Sequence, residues 1–439
     1  MSIACSSSFG YGNPVVGTST YNAPVTPANF LLAVPPGGVQ PTFNFNQQPL
    51  FGQIPGQNPA AGNFNSMLGQ LLQMMGQLFQ MMRNLFGQQS PLTLPANSPA
   101  SNNANTRLGN SSPTKPTVAV IDDFQSDPDG FNHGNSVAGV IQGDLDASQI
   151  QLFSERPSRR PIPEGGTVSD VMSFLAEDHV VGLLDKANMN MEQILNDPNS
   201  EIRTINMSLG MSKAKAYQAT FEIMKNMPDD TKKEFERELG IDHLPKTDPR
   251  RYKAVIKMVD NALDNSPAIQ NAMNRYNQNL DRANNAGIAV VVSAGNQQDF
   301  IDFLAEEFGA DALPADVGVS YLARNPYVIT VGAIDDKNNA NANDDTVAGF
   351  SNKSTGAYKP LLALDGVDVN GNDQLDGTSF SAPQITAMIE RLRQVNPNLT
   401  PAEVKDILIA SASHSVAGMA VPDTDKALAL ATQNATRAA

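Results

Sequence analysis

Four short apolar runs constrain this chain more than any other feature: VAVI (118–121), IRTINMSL (202–209), AVVVSAG (289–295) and YVITVGAI (327–334). None alternates strictly between apolar and polar residues. That is the pattern of strands buried on both faces of a parallel sheet. Stretches of helical periodicity separate the runs, so the spacing predicts an α/β architecture. Helix signals are clearest in the last third. There SFSAPQITAMIERLRQV lines up Phe380, Ile385, Met388, Ile389 and Leu392 on one face, with Pro383 expected in the first turn, where its missing N–H costs little. Thr400, Pro401 and Glu403 open the next helix as a capping box with proline at the first helical position. A charged, helix-patterned block at 211–286 breaks the rhythm between the second and third runs and reads as an insertion.

The first 115 residues are of another kind. No Asp, Glu, Lys or Arg occurs from Met1 to Met82, and Arg83 is the only such residue before Arg107. Rich in Pro, Gly, Asn, Gln and Ser, this region lacks the apolar surface to form a core and is expected to be mostly disordered. Residues 67–86 differ. Leu71, Met75, Leu78, Met82 and Leu85 recur at helical spacing, a face suited to self-association, to docking on a partner or to packing on the protein's own body. The formal charge of −15 falls almost wholly on the remainder, and an acidic surface repels phosphate backbones, so nucleic acid is not an expected partner. Cys5 is the only cysteine, so no internal disulfide can form; it reads as a solvated residue, or else as a reactive or lipid-bearing thiol. The start MSIACSSSFG lacks the basic and apolar segments of a signal peptide, and no run approaches the ~18 apolar residues of a membrane span. The expectation is a cytoplasmic protein or one exported without a cleaved signal.

Candidate chemistry is sparse enough to isolate. A serine hydroxyl needs a histidine base, and that base needs an orienting carboxylate. Of the four histidines, His133 stands in HGNSVAGVI among small residues, whereas His179, His243 and His414 sit where a surface role is expected. Asp122 ends the VAVI run, at the carboxyl edge of a parallel strand where ligands gather, and Asp123 follows it. Ser379 follows Gly377-Thr378 and leads into a helix, whose positive end it would feel.

PTVAVIDD, HGNSVAGVI, INMSLG, VVVSAGN and DGTSFSAP occur here in the order found in the subtilisin-like serine proteases, and YVITVGAID and AGFSNKSTG resemble segments between the last two. The chain resembles that family over about residues 116–415. The resemblance implies a three-layer α/β/α fold with a mostly parallel central sheet and a serine endopeptidase acting on polypeptides through an acyl-enzyme. It implies that Asp122 orients His133, that His133 takes the proton of Ser379, and that Asn296 donates to the oxyanion beside the Ser379 N–H. Ser208-Leu209-Gly210 and Ser293-Ala294-Gly295 match the segments that pair with extended substrate and wall a roomy, apolar specificity pocket.

Departures accompany the resemblance. Asp123-Phe124 and Asn135-Ser136 replace the residues that usually follow the aspartate and the histidine, and Gln384 stands where histidine is common. Asp122 and His133 are only 11 positions apart, which trims a loop beside the cleft, while Ser208 and Asn296 are 88 apart because of the 211–286 block. That block is expected to border the cleft. No cofactor is called for. Relatives often hold calcium, but the acidic residues Asp365, Asp368, Asn370, Asn372, Asp373 and Asp376 fit no EF-hand register and read as a hairpin turn around Asn370-Gly371. The alternative function is a catalytically silent scaffold that uses the same cleft for binding or assembly.

Overall fold

The computed structural model describes residues 117–438, apart from 127–129, 159, 310–312, 340, 354–355 and 373. The helix expected at 67–86 and the tract around it lie outside the described residues. The described chain builds one nine-stranded sheet in which residues 150–153, 118–121, 204–207, 289–293, 328–335, 362–365, 419–422 and 412–416 lie side by side in that order, with 346–347 paired to 328–335 alone. The four apolar runs become β1 (Val118–Ile121), β3 (Thr204–Met207), β4 (Ala289–Ser293) and β5 (Val328–Asp335), adjacent and parallel. The sequence reading did not place β2 (Ile150–Phe153), β6 (Thr346–Val347), β7 (Leu362–Asp365), β8 (Ala412–Val416) or β9 (Met419–Pro422). β2 and β7 extend the parallel set, and antiparallel pairing is confined to β6 on β5 and β8 on β9.

Successive side chains of a strand point to opposite faces, and the central strands are apolar on both. Val118 and Val120 of β1 pack with α1 (His133–Gln142) through Val137 and Ile141, whereas Ala119 and Ile121 join the opposite layer. On β4, Ala289 and Val291 meet Ile385 and Ile389 of α8 (Thr378–Val395), while Val290 and Val292 face the other way. α8 shares its layer with α9 (Pro401–Ala410) and α10 (Thr424–Ala438). The opposite layer is led by α2 (Val168–Asn196), whose Val180, Leu184 and Met191 are buried. Each large apolar side chain so buried contributes about 1.5–3 kcal/mol. The capping box of Thr400 and Glu403 is present, with Pro401 in the first turn.

Residues 211–286 form four helices: α3 (Lys213–Lys225), α4 (Asp229–Glu238), α5 (Pro249–Asp264) and α6 (Pro267–Asn285). They are not a separable flap. Tyr217 of α3 and Tyr276 and Leu280 of α6 belong to the main core, and the Tyr276 hydroxyl donates to Leu322 O at 3.0 Å. Lys213, almost fully buried, is ringed by Asp260, Asp264 and Asp316 at 2.8–3.8 Å. Ile223 of α3, Phe235 of α4 and Val255 of α5 turn instead to a satellite cluster with Val171 and Leu175 of α2. After β4 the chain continues into α7 (Gln298–Phe308).

Two local expectations need correction. Asn370 and Gly371 do not turn a hairpin: they lie in a short 3₁₀ turn between β7 and α8, with Asp368, Asn370 and Gly371 all at positive φ. The acidic side chains there satisfy their own backbone, Asp376 Oδ1 accepting from Asp368 N at 2.8 Å. His414 is not a free surface histidine; on β8 its Nε2 meets the nearly buried Asp345 Oδ2 at 2.7 Å.

Candidate active site

The site forms at the carboxyl ends of the parallel strands β1, β3 and β4. Asp122 immediately follows β1 and is wholly buried. Its Oδ1 accepts from its neighbour's backbone, Asp123 N, at 2.6 Å and lies 2.7 Å from His133 Nδ1. Because a carboxylate can only accept, Nδ1 carries the proton and Nε2 is left as the basic nitrogen. The His133 ring keeps one third of its surface in solvent. Burial works against its cationic form, but the charge and hydrogen bond of Asp122 outweigh it, and the pKa stands above the ordinary 6.5.

The trimmed loop between Asp122 and His133 is held by local devices. Asn132 caps α1, accepting from Asn135 N at 2.9 Å, and reaches back to donate to Phe124 O at 2.5 Å. Gly134 must be glycine: a Cβ would lie 2.6 Å from the Phe124 ring and 2.8 Å from Asp123 O. Asp123 turns away from the site and pairs with Arg156. Burial opposes its charge, yet the Gln125 N–H, Arg156 and Lys186 hold its pKa below the usual value.

Ser379 is the second residue of α8, and His133 packs on the next ring, Phe380, with centroids 5.8 Å apart. The Ser379 hydroxyl donates to Ser208 O at 3.1 Å, while Ser208 Oγ donates to Ser379 O at 2.8 Å. Pro383 falls not in the first turn but at the sixth residue, because α8 opens already at Thr378. Its missing N–H is the one that would have reached Ser379 O, and Ser208 fills that vacancy. Gln384, at the position where the family commonly has histidine, donates to Asp365 O at 2.7 Å and Phe380 O at 2.9 Å.

Asn296 is oriented without ambiguity. Its Oδ1 lies 3.0 Å from Thr378 N and 2.7 Å from Thr378 Oγ1. A backbone N–H can only donate, so the amide oxygen must face it and Nδ2 must face away. Gly377, at φ +140°, leaves open the space beyond: a Cβ there would stand 2.9 Å from Asn296 Nδ2 and 3.7 Å from Ser379 N. Two donors therefore border one unfilled position. Thr378, unmarked in the sequence reading beyond its place in DGTSFSAP, also accepts from Gly295 N at 3.1 Å.

The two flanking segments face each other here. Ser293 Oγ donates to Leu209 O at 3.4 Å, and Gly210 O accepts from Lys215 Nζ at 3.1 Å. Ala294 N is tied to Val331 O at 2.9 Å, as an extension of the sheet. Asn352, buried in the AGFSNKSTG segment, fixes the turn by donating to Ala294 O and Gly318 O and accepting from Gln297 N. Sequence inspection matched that segment without giving Asn352 a role. No group of three or more His, Cys, Asp or Glu side chains among the described residues is arranged to hold a metal.

A buried carboxylate on an imidazole, a serine at a helix start and paired donors beside it, all at the ends of parallel strands, define a serine-hydrolase-like α/β protein. Residues 100–435 match the subtilase family, and the chain belongs to it. A stretch of 153 residues is 35% identical to serine protease AprX of Bacillus subtilis (strain 168), covering 29% of this chain and 31% of that protein. The chain thus spans about a third of that relative's length. Among solved structures, a lanthipeptide protease aligns at 14% identity over 72% of this chain and 87% of its own, with a TM-score of 0.38. The prenylagaramide maturation protease PagA aligns at 18% identity over 72% and 94%, also with a TM-score of 0.38.

Proposed function

We propose that the chain is a serine endopeptidase that hydrolyses peptide bonds through an acyl-enzyme on Ser379. Ser379 Oγ attacks the scissile carbonyl carbon as His133 Nε2 takes the hydroxyl proton. The C–N bond breaks as that proton passes to the leaving amine, and water then hydrolyses the ester by the same route. Asp122 holds the tautomer that makes Nε2 the base. Asn296 Nδ2 and Ser379 N supply hydrogen bonds to the charge that develops on the carbonyl oxygen.

The observation that carries this reading is the setting of Asn296, whose oxygen is pinned by Thr378 so that its NH₂ borders the space kept open by Gly377. Two donors bordering one open position suit the stabilisation of a developing oxyanion better than they suit a silent scaffold. One observation favours that second reading: the Ser379 hydroxyl rests on Ser208 O and not on the imidazole. A rotation about χ1 releases it, and such bonds often tighten only with substrate bound. Treatment of the full chain with an organophosphonate serine probe decides between them. The active reading expects stoichiometric labelling of Ser379, lost in His133→Ala. A chain that takes no label and cleaves no peptide is a binding scaffold.

A further inference from the structure

Lys215 is placed unlike the other cations near the cleft. It lies in the first turn of α3, partly buried, and its Nζ donates to Gly210 O at 3.1 Å. Among the described residues it meets no carboxylate within ion-pairing distance, although the chain carries a formal charge of −15. Lys213, two residues earlier, is surrounded by three aspartates. An ammonium has three donors, and a single neutral carbonyl leaves most of its charge uncompensated. Burial pushes the Lys215 ammonium down, and its charge reaches His133, where it opposes protonation. By its contact with Gly210 O, the cation stands on the wall formed by 208–210.

We propose that Lys215 selects substrates with an acidic side chain two or three residues to the amino side of the scissile bond. The proposal rests on the peptidase reading above. Gly210 is two residues beyond Ser208, whose carbonyl touches Ser379 Oγ. Extended chain advances about 3.3 Å per residue, so a substrate strand along 208–210 brings its second or third residue opposite Gly210. A substrate N–H can share Gly210 O with Lys215, because a carbonyl oxygen has two lone pairs. The ammonium then stands at the edge of the bound peptide with donors still unmet, and a carboxylate there satisfies them with charge assistance. An Asn at the same place supplies only a neutral acceptor.

The test uses the full chain and a peptide series in which Asp or Asn is scanned through each position before one cleavage site. The expected kcat/KM ratio, Asp over Asn, is about tenfold at the second or third position, the scale of one charge-assisted hydrogen bond. It is expected near one elsewhere. Lys215→Met should bring the peak ratio to about one, Lys215→Arg should keep it, and Lys215→Glu should invert it. If the variants do not fold, the native ratio itself decides, because a preference set by charge shrinks as salt is raised. If no peptide is cleaved, the same ratio is read as binding affinity in the Ser379→Ala chain, so loss of catalysis and loss of selectivity are distinguishable. Equal handling of Asp and Asn, a ratio indifferent to salt, or a ratio unchanged in Lys215→Met overturns the proposal.

Discussion

Ser208 and Ser379 exchange two hydrogen bonds across the cleft, each hydroxyl donating to the other's backbone carbonyl, at 2.8 Å and 3.1 Å. The Ser208 hydroxyl serves a carbonyl that Pro383 cannot reach, since proline has no N–H to offer its fourth predecessor. Ser208→Ala should therefore destabilise the protein by about 1–3 kcal/mol, the cost of a buried acceptor left unmet. Pro383→Ala restores a backbone donor for the same oxygen. In the double variant, part of the Ser208→Ala loss should return. Chemical denaturation of the four proteins of this cycle gives the coupling, and strict additivity would show that the two residues do not share Ser379 O.

Ser379→Ala should abolish peptide hydrolysis while leaving thermal unfolding close to that of the native chain, because the hydroxyl lies at the cleft. The expected drop in turnover is about 10⁶, a scale that comes from subtilisin itself and is carried here by family membership. Single-turnover assays at high enzyme concentration measure it. Residual cleavage at the native rate would remove Ser379 from the reaction.

Asn296→Ala should lower kcat by about 10²–10³, again a subtilisin value, with KM little changed, since its amide acts on charge present only in the transition state. Thr378→Val keeps the shape but removes the hydroxyl that orients Asn296 and receives Gly295 N–H. It should lose less turnover than Asn296→Ala and add a stability cost of about 1–3 kcal/mol. Thr378→Ser should retain both functions. A rise in KM at constant kcat for Asn296→Ala would place its amide in ground-state binding.

The pH profile follows from His133. The ring must be neutral to accept a proton, and Asp122 and Asp123 both raise its pKa from 6.5. Activity should thus be lost as pH falls, with the midpoint of kcat/KM above 6.5. Removing negative charge lowers that midpoint, so Asp123→Asn should shift the limb downward with a mild loss of rate. Asp122→Asn should shift it too, but with a loss of about 10⁴, the size found for the analogous change in a chymotrypsin-like triad, because Nδ1 no longer holds its proton. A greater rate loss in Asp123→Asn would exchange the roles of the two aspartates.

The central strands and α8 were legible because both rest on local pattern. VAVI and AVVVS need to be apolar on each face, and Ile385 and Ile389 repeat at helical spacing. β2, β7 and β9 were not: IQLF and LALD each break their apolar run with a polar residue, and MAVP ends in a proline that reads as a strand breaker. Motif order singled out Asp122, Ser379 and Asn296, which lie at the strand ends and the start of α8. The groups that aim them were not legible: Thr378, Asn132 and Asn352 act through partners distant in sequence or through caps that any loop could contain. Pro383 misled for a similar reason, since the true start of α8 is set by Asn296 receiving the Thr378 N–H, 82 residues away.

The polar side of α8 also fixes how far Ser379 projects. Thr386 Oγ1 donates to Asn206 Oδ1 at 2.9 Å, Asn206 Nδ2 to Ser208 Oγ at 3.1 Å, and Ser208 returns to the helix at Ser379 O. Two turns further on, Arg393 donates to the Arg203 carbonyl and, at 2.8 Å, to Gly287 O, just before β3 and β4 begin. The helix is thus indexed to the sheet at both ends, and a slip of even one residue, about 1.5 Å, breaks every one of these contacts. α8 has no intermediate resting place along its axis. Loosening Ser379 means freeing the whole helix, so on the peptidase reading loss of activity under heat or denaturant should coincide with cooperative unfolding of the sheet, and no folded but disarmed form should accumulate.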